Sequence, residues 1–356
     1  MRAIAPIRVA VVGLGVRGRQ WADVILAAKD VELAAVVEIH PKGYVEGVPT
    51  FSSLAEAATS TRVDGVVLAT PPSAHREGIE AAVGLGLPIL CEKPLSETLD
   101  EAVAMTTVAR DAGVPLLVGM NFRYLPVTIE LRRRFAEGSL GRPMFASFTY
   151  LRNRDGTRPD LNDHPLTMDH PMLLEQSIHH LDLLRHVYAR EVETVSATTW
   201  NPAASTYAGD ACVAIHLVMQ GGLHVHYMGT WVSGTNRLEF CWRTDLEGGV
   251  VMQRRQFEDL AVAERVPGAE RTGPLFDEDT EPLLPVAIPA ATPFVDDTAT
   301  LLDEFAGVVR EGRDSGPTAA DHLWTLASVH ACIVSAAGGR TVDVPDFAAD
   351  QGIAPA

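Results

Sequence analysis

The join between residues 7–12 and residues 13–18 constrains the fold more than any other stretch. Ile7-Arg8-Val9-Ala10-Val11-Val12 is a β-rich run that ends directly on Gly13-Leu14-Gly15-Val16-Arg17-Gly18. Glycine adopts conformations and permits close approaches that other residues resist, so a strand ending here can turn at once into a helix. The apolar spacing of Trp21, Val24, Ile25 and Ala28 supplies that helix. Residues 33–37 read as a second strand, ending at Glu38. Ser53-x-x-Glu56 reads as a capping box opening a short helix. Residues 63–70 form a third strong strand stopped by Pro71-Pro72, and residues 73–86 a helix closed by Gly84 and Gly86. Residues 88–91 are a strand, Thr98-x-x-Glu101 caps a helix running to Gly113, and residues 115–120 are another apolar strand. Strands alternating with helices of this length predict βαβ units and a parallel sheet. The early strands are apolar throughout, as expected where helices cover both faces.

Gly13-x-Gly15-x-x-Gly18 alone would be satisfied by any tight turn. Its setting says more: a strand precedes it, a helix follows, and the carboxylate Glu38 ends the next strand, 20 residues after Gly18. These are the conditions of a dinucleotide-binding turn. The glycines let the backbone approach a pyrophosphate, and the helix N-terminus favours its negative charge. Gly13, Leu14, Gly15, Val16, Arg17 and Gly18 are therefore expected to line the cofactor. Glu38 would accept hydrogen bonds from the adenosine ribose and repel a 2′-phosphate, so NAD is expected in preference to NADP. His40 and Lys42 lie just beyond and could soften that preference.

With 356 residues, about two domains are expected. The character of the chain changes after residue 121, which divides it into 1–121 and 122–356. A net charge of −17 argues against nucleic acid or an anionic membrane as partner, because both need basic patches. The four cysteines (91, 212, 241 and 332) contain no Cys-x-x-Cys, so neither a disulfide framework nor a zinc knuckle is expected. A reducing cytoplasm is the simplest setting. The first strand begins within a few residues of Met1, which leaves no room for a signal peptide. No apolar stretch reaches the length of a membrane span.

Beyond residue 121, a helix over 125–137 ends at Gly138, and residues 143–152 alternate like an antiparallel strand. A polar loop over 153–168 carries Arg154, Asp155, Arg158, Asp160, Asp163 and His164. A helix is predicted over 169–188. Strand-like runs follow at 192–200, 210–219, 223–232, 236–244 and 249–257, with Gly221-Gly222 as a hairpin turn. Residues 258–293 are Pro-rich and carry no assignment, and helices over 295–312 and 318–337 close the chain. Within the helix over 169–188, Glu175, His179 and Asp182 fall on one face at i, i+4 and i+7. An imidazole between two carboxylates suits a general base, because a carboxylate orients the ring and stabilises its charged form. His180, about 100° round the helix, is the alternative base. The histidines at 164, 170, 179, 180 and 186, with His224-x-His226, invite a metal reading; they match no metal motif, and none is expected.

Three further stretches lie in order: Ala69-Thr70-Pro71-Pro72-x-x-His75, Cys91-Glu92-Lys93-Pro94 and Asn121-Phe122-Arg123-Tyr124. Each follows a predicted strand, where ligands bind in an open parallel sheet. Together with the glycine turn they resemble the glucose–fructose oxidoreductase / inositol dehydrogenase (Gfo/Idh/MocA) family. The resemblance is specific over the first 125 residues and extends through the helix over 169–188. It implies an α/β N-terminal Rossmann domain with a doubly wound parallel sheet. A C-terminal α+β domain with a large, mostly antiparallel open sheet would follow. It also implies an NAD(P)-dependent dehydrogenase of sugars, cyclitols or related polyols, associating as a homodimer or homotetramer through the C-terminal sheet. Lys93 would be the active-site lysine, with Thr70, Pro71, Pro72, His75, Glu92 and Asn121 along the nicotinamide half of the cofactor. His179 would be the base, Glu175 its acidic partner and Asp182 the last member of the set.

The chain departs from that pattern in having Glu where many members have Asp at 175. It also has His170-Pro171-Met172-Leu173-Leu174 in place of a small, often glycine-rich run. Arg123, Tyr124, Arg152, Asn153 and Arg154 are candidate polar contacts to substrate, beside Lys93, His179 and His180. The arginines raise the possibility of an acidic sugar; Trp231 could stack on a sugar face or fill the sheet core. The expected activity is thus cytoplasmic oxidation of a CH–OH group with NAD. Two other classes compete: an NAD-dependent glycoside hydrolase working by transient oxidation and elimination, and a non-catalytic dinucleotide-binding regulator. Regulators tend to lose the lysine and histidine that this chain keeps.

Overall fold

A computed structural model describes residues 5–40, 44–158, 161, 163–265, 282–313 and 315–355; Lys42 and Asp160 lie outside them. Contacts divide the chain into two compact units. The first comprises Met1–Tyr124, Ala291–Ala327 and Ala348–Ala356; the second comprises Leu125–Ala290 and Ser328–Phe347.

In the first unit the strands are β1 (Ile7–Val12), β2 (Val31–Val37), β3 (Thr50–Phe51), β4 (Gly65–Leu68), β5 (Ile89–Cys91) and β6 (Leu116–Val118). All pair in parallel, in the order β3-β2-β1-β4-β5-β6. This is the doubly wound Rossmann order, with a topological switch between β1 and β4. The intervening helices are α1 (Val16–Ala27), α2 (Leu54–Ser60), α3 (His75–Gly84) and α4 (Leu99–Asp111). Val9, Ala10 and Val11 of β1 and Val66, Val67 and Leu68 of β4 have no exposed surface, which is why both strands read as unbroken apolar runs. Ser53 caps α2 by accepting from the Glu56 N–H. The second expected capping box is not formed. Thr98 makes no cap bond, and Glu101 instead accepts from Ser96 Oγ and Arg76. A late segment completes this unit: α7 (Asp296–Glu311) packs Leu301, Leu302, Phe305, Ala306 and Val308 against Ile7, Val9, Trp21 and Ile25. Burying Phe305 alone is worth about 1.5–3 kcal/mol.

The second unit opens with α5 (Pro126–Glu137), ended by Gly138 in the left-handed region. Its sheet contains β7 (Pro143–Leu151), β8 (Val192–Trp200), β9 (Cys212–Met219), β10 (Leu223–Thr230), β11 (Glu239–Leu246), β12 (Gly249–Arg255), β13 (Glu258–Glu264), β14 (Leu284–Val286) and β15 (Val342–Asp343). The order is β14-β13-β12-β11-β7-β10-β9-β8-β15. Pairing is antiparallel except at β7, which is antiparallel to β11 but parallel to β10, because the chain inserts a helical crossover before returning beside it. β13 and β14 fall in the stretch that carried no sequence assignment, and β15 with α9 (Val344–Asp350) was not foreseen. Gly221 and Gly222 both have positive φ, as the turn between β9 and β10 requires. α8 (Ala319–Gly338) belongs to the first unit up to Ala327 and to the second from Ser328.

The helix expected over 169–188 is two pieces. Met172–Ser177 is a π-helical turn, and α6 proper is Ile178–Tyr188. The opening turn lies on β9 and β10, and Gly229 of β10 makes room for it. A Cβ at Gly229 would stand 2.5 Å from Met172 Cε.

Candidate active site

The glycine turn sits at the switch point between β1 and β4. Gly13 has φ +86°, and a Cβ there would lie 3.0 Å from the Ala69 carbonyl oxygen and from Thr70 Cγ2. A Cβ on Gly18 would lie 1.9 Å from the Gly13 carbonyl oxygen, so this glycine is required for α1 to start so close to β1. Gly15 differs: nothing lies within 4 Å of its Cβ position, and its φ of −64° suits any residue. The space over Gly15 faces the first turn of α1, whose N–H groups and dipole favour an anion. Glu38 closes the other side. Its Oε2 accepts from the Leu14 N–H at 2.7 Å and its Oε1 from the His40 N–H at 2.8 Å. Each oxygen keeps a lone pair for a further donor. The residues therefore fit a dinucleotide: an open pyrophosphate seat and a carboxylate with acceptor capacity left.

Glu92 ends β5 and is almost completely buried, so it is not half of a surface ion pair. Its Oε1 accepts from Arg17 Nε at 2.9 Å and from Trp21 Nε1 at 2.7 Å, and Arg17 Nη2 adds a 2.7 Å ion pair. Burial pushes the Glu92 carboxyl up, but the Arg17 charge and the Arg17 and Trp21 hydrogen bonds outweigh it and hold the pKa below the usual carboxylate value. Arg17 in turn faces the Trp21 and Phe294 rings at 5.5 and 5.9 Å.

The next residues form a turn with a cis Lys93–Pro94 bond. Two buried histidines clamp it: His322 Nε2 accepts from the Leu95 N–H at 3.4 Å, and His75 Nδ1 lies 3.0 Å from the Leu95 carbonyl. His75 Nε2 lies 3.0 Å from the Thr70 carbonyl, so this ring joins the turn after β4 to the turn after β5. Burial lowers its pKa, against the opposing pull of the two carbonyls. Within residues 91–96, Lys93 alone is more than marginally exposed. Thr70, Pro71 and Pro72 lead from β4 into α3 through one tight helical turn. Asn121 is buried and donates through Nδ2 to Asp297 Oδ2, at the start of α7. Burial raises the Asp297 pKa, against the Asn121 bond.

Other substrate candidates in the first unit are committed to structure. Arg123 is buried in an ion pair with Asp321 of α8, and Tyr124 packs on the apolar core. In the second unit, His179 and Asp182 are buried in α6, three residues apart on one face. Glu175 lies in the π-helical turn that leads into α6. His180, the alternative base, sits inside the second unit. It is fully buried, stacked with Phe148 and Tyr150, and bonded to Tyr227 Oη at 2.9 Å and Gln176 Nε2 at 3.1 Å. Burial pushes its pKa from 6.5 to about 3.

Asn153 bonds Asn236, and Arg154 lies over the Trp231 ring at 4.4 Å, with Nη1 3.0 Å from Tyr207 Oη. Trp231 is thus buried against Arg154 and Tyr207. His216 of β9 stacks with both His224 and His226 of β10. Among the described residues, no group of three or more His, Cys, Asp or Glu side chains is arranged to hold a metal ion, and no helix is long and apolar enough to cross a membrane.

Comparison with known proteins agrees with this architecture. A family model described as "Oxidoreductase family, NAD-binding Rossmann fold" matches residues 7–120, and one described as "GFO/IDH/MocA C-terminal domain" matches residues 128–249. A D-apiose dehydrogenase of Paraburkholderia graminis is 25% identical over 303 residues, covering 84% of this chain and 78% of that protein. An inositol 2-dehydrogenase of Mycolicibacterium smegmatis is 30% identical over 233 residues, covering 62% and 65%. An oxidoreductase from Agrobacterium radiobacter, solved with NAD+, L-tartaric acid and magnesium, superposes with a TM-score of 0.84 at 21% identity, over 96% of this chain and 100% of that one.

Gly15→Ala should shift stability by no more than about 1 kcal/mol yet weaken NAD binding at least about tenfold. Gly18→Ala should lose about 1–3 kcal/mol or more, since its Cβ meets backbone. Urea unfolding and a fluorescence titration with NAD read both, and wild-type NAD affinity in Gly15→Ala would contradict the seat. For His180, the folded-state pKa is depressed, so the unfolded chain binds the extra proton. The stability that neutral His180 contributes is complete above pH 6.5 and is lost as pH falls towards about 3. Urea midpoints measured across that window should fall less steeply in His180→Gln than in the parent; identical slopes would contradict it.

Proposed function

Because the chain belongs to the Gfo/Idh/MocA family of oxidoreductases, with an NAD(P)-binding Rossmann domain and the family's C-terminal domain, we propose that it transfers a hydride between a nicotinamide cofactor and the CH–OH carbon of a sugar, cyclitol or related polyol. Residues 1–121 are assigned the cofactor, and residues 122–356 the substrate and the association of subunits through the nine-stranded sheet. The observation that carries the reading is Lys93. It is the one accessible side chain in a turn otherwise buried, fixed on one side by Glu92 and on the other by the two histidines at Leu95. A structure that spends a buried ion pair and two imidazoles on one turn has reason to hold its lysine in place. The dehydrogenases of apiose and inositol among the relatives support a polyol substrate.

Oxidation of CH–OH to C=O releases one hydride and one proton. The bound nicotinamide supplies the hydride acceptor. His179 takes the hydroxyl proton, and Asp182, one turn on, orients the imidazole and stabilises its charged form. Glu175 is assigned a second acidic role beside the base. Lys93 donates a hydrogen bond to the reacting oxygen and holds it as charge develops there. The assignment of NAD over NADP rests on Glu38, whose carboxylate is held facing the glycine turn by the Leu14 and His40 N–H groups. A 2′-phosphate beside it would meet like charge.

Two variants test this reading. With a panel of sugars, inositols and sugar acids, the parent should form NADH, and Lys93→Met should lose about 10²–10⁴ in kcat while NAD affinity survives. Full turnover by Lys93→Met would remove the proposed mechanism. Glu38→Ser should raise kcat/KM with NADP relative to NAD by about tenfold or more, the loss of one like-charge contact. An unchanged ratio would remove the specificity argument.

A further inference from the structure

The C-terminal ends of β7 and β10 run side by side in parallel, with Leu151 opposite Thr230. The pairing continues past the strands: the Arg152 N–H donates to the Thr230 carbonyl at 3.1 Å and the Arg154 N–H to the Trp231 carbonyl at 3.0 Å. Tyr150, Arg152 and Arg154 alternate along this extended stretch, and alternate residues share a face. We infer that the second unit carries a carboxylate-binding site at this strand end, formed by the Arg152 and Arg154 guanidinium groups, the Tyr150 hydroxyl and the Trp231 indole N–H. The substrate would then be a sugar acid, an inference that rests on the polyol reading above.

In a chain of net charge −17, carboxylates pair with arginines throughout, as at Arg17–Glu92, Arg142–Glu247, Arg185–Glu191 and Arg243–Asp245. Among the described residues, neither Arg152 nor Arg154 has a carboxylate at ion-pair distance, although they stand two residues apart. Asp155, the nearest carboxylate in sequence, accepts instead from the Thr157 N–H and hydroxyl at 3.0 and 2.7 Å. Arg154 is held before any ligand arrives, by the Trp231 ring 4.4 Å away and by Tyr207, which accepts from its Nη1 and donates to its carbonyl. One of its five donors is used, and the rest of the fork remains.

Tyr150 and Trp231 are each more than nine-tenths buried; neither the Tyr150 hydroxyl nor the Trp231 Nε1 completes a well-formed hydrogen bond within the described protein, although the Arg152 and Trp231 side chains stand beside the Tyr150 oxygen. Burial pushes the Tyr150 pKa up, and the Arg152 and Arg154 charges, with the Arg152 and Trp231 side-chain donors, pull it back. A buried donor without an acceptor is destabilising by about 1–3 kcal/mol, and an arriving acceptor removes that penalty. Every group here donates, so the matching ligand is rich in acceptors and negatively charged. A carboxylate takes two N–H donors of one guanidinium side by side and leaves lone pairs for the hydroxyl and the indole.

Calorimetry on the NADH-loaded protein, which cannot oxidise a further substrate, tests the site without turnover. The probes are D-glucuronate, D-galacturonate and D-gluconate, each against its neutral counterpart D-glucose, D-galactose or D-glucitol, with D-glucose 6-phosphate as a further anion. At least one acid should bind about 10–100-fold more tightly than its neutral partner, and added salt should narrow that gap. Arg154→Gln should reduce the ratio towards one. If loss of its stacking unfolds the protein, Arg152→Gln at the exposed side carries the same test. Three results overturn the site: neutral sugars binding as tightly as all three acids, an acid preference undiminished in Arg152→Gln, or the phosphate binding more tightly than any carboxylate. NADH formation from neutral polyols with no acid preference would remove this inference alone. Acid-selective binding without NADH formation from any polyol would remove the oxidoreductase reading and leave the carboxylate site standing.

Discussion

The first unit depends on one buried carboxylate. Glu92 stands at the end of β5, yet its hydrogen bonds run to Arg17 and Trp21 of α1. Through it, the helix that opens the glycine turn is tied to the turn that carries Lys93. A buried ion pair gains little net stability, because the desolvation of both charges offsets their attraction. What it supplies is geometry, since the carboxylate is satisfied in only one arrangement of β5 and α1. The same economy holds at Leu95, where one histidine takes the N–H and another faces the carbonyl. Lys93 lies between these two fixed points.

The second unit solves a different problem, that of placing a helix end close over a sheet. Gly229 removes the side chain that would meet Met172, and the helix begins with a π-helical turn. His180 then enters the aromatic layer with Phe148, Tyr150 and Tyr227 as a neutral ring. With Gln176 donating to Nε2, its Nδ1–H donates to the Tyr227 oxygen, and the Tyr227 hydroxyl is left to donate to Ser177. Every polar atom of that chain has a role in fixing the helix on which His179 and Asp182 sit.

Much of the first unit was legible because its signals are local. The run into Gly13, the spacing to Gly18 and the carboxylate at 38 are consequences of a strand, a turn and a helix that are neighbours in sequence. The partners were illegible because they are remote. Asp297 meets Asn121 across 176 residues, Asp321 meets Arg123 across 198, and His322 meets Leu95 across 227. No periodicity announces such pairs, and Arg123, read as a substrate contact, also forms an ion pair that sequence did not suggest. The π-helical turn escaped for a related reason: residues 172–177 have an ordinary helical composition, and the strands they lie on, β9 and β10, are remote in sequence. Two adjacent histidines likewise cannot be told apart by pattern, whereas the packing round His180 depends on Phe148, Tyr150 and Tyr227, which are remote in sequence. Trp21 was within reach, because it lies one helical turn beyond Arg17 on the same face.

The central claim is hydride transfer from a polyol carbon to the cofactor. It is tested most directly by supplying substrate deuterated at the reacting carbon and examining the reduced cofactor by mass spectrometry and proton NMR. The account predicts one deuterium in each NADH formed, at C4 of the nicotinamide, with a ketone or aldehyde released in equal amount. Cleavage of a glycoside with no labelled NADH accumulating, or NADH formed without deuterium, would contradict it.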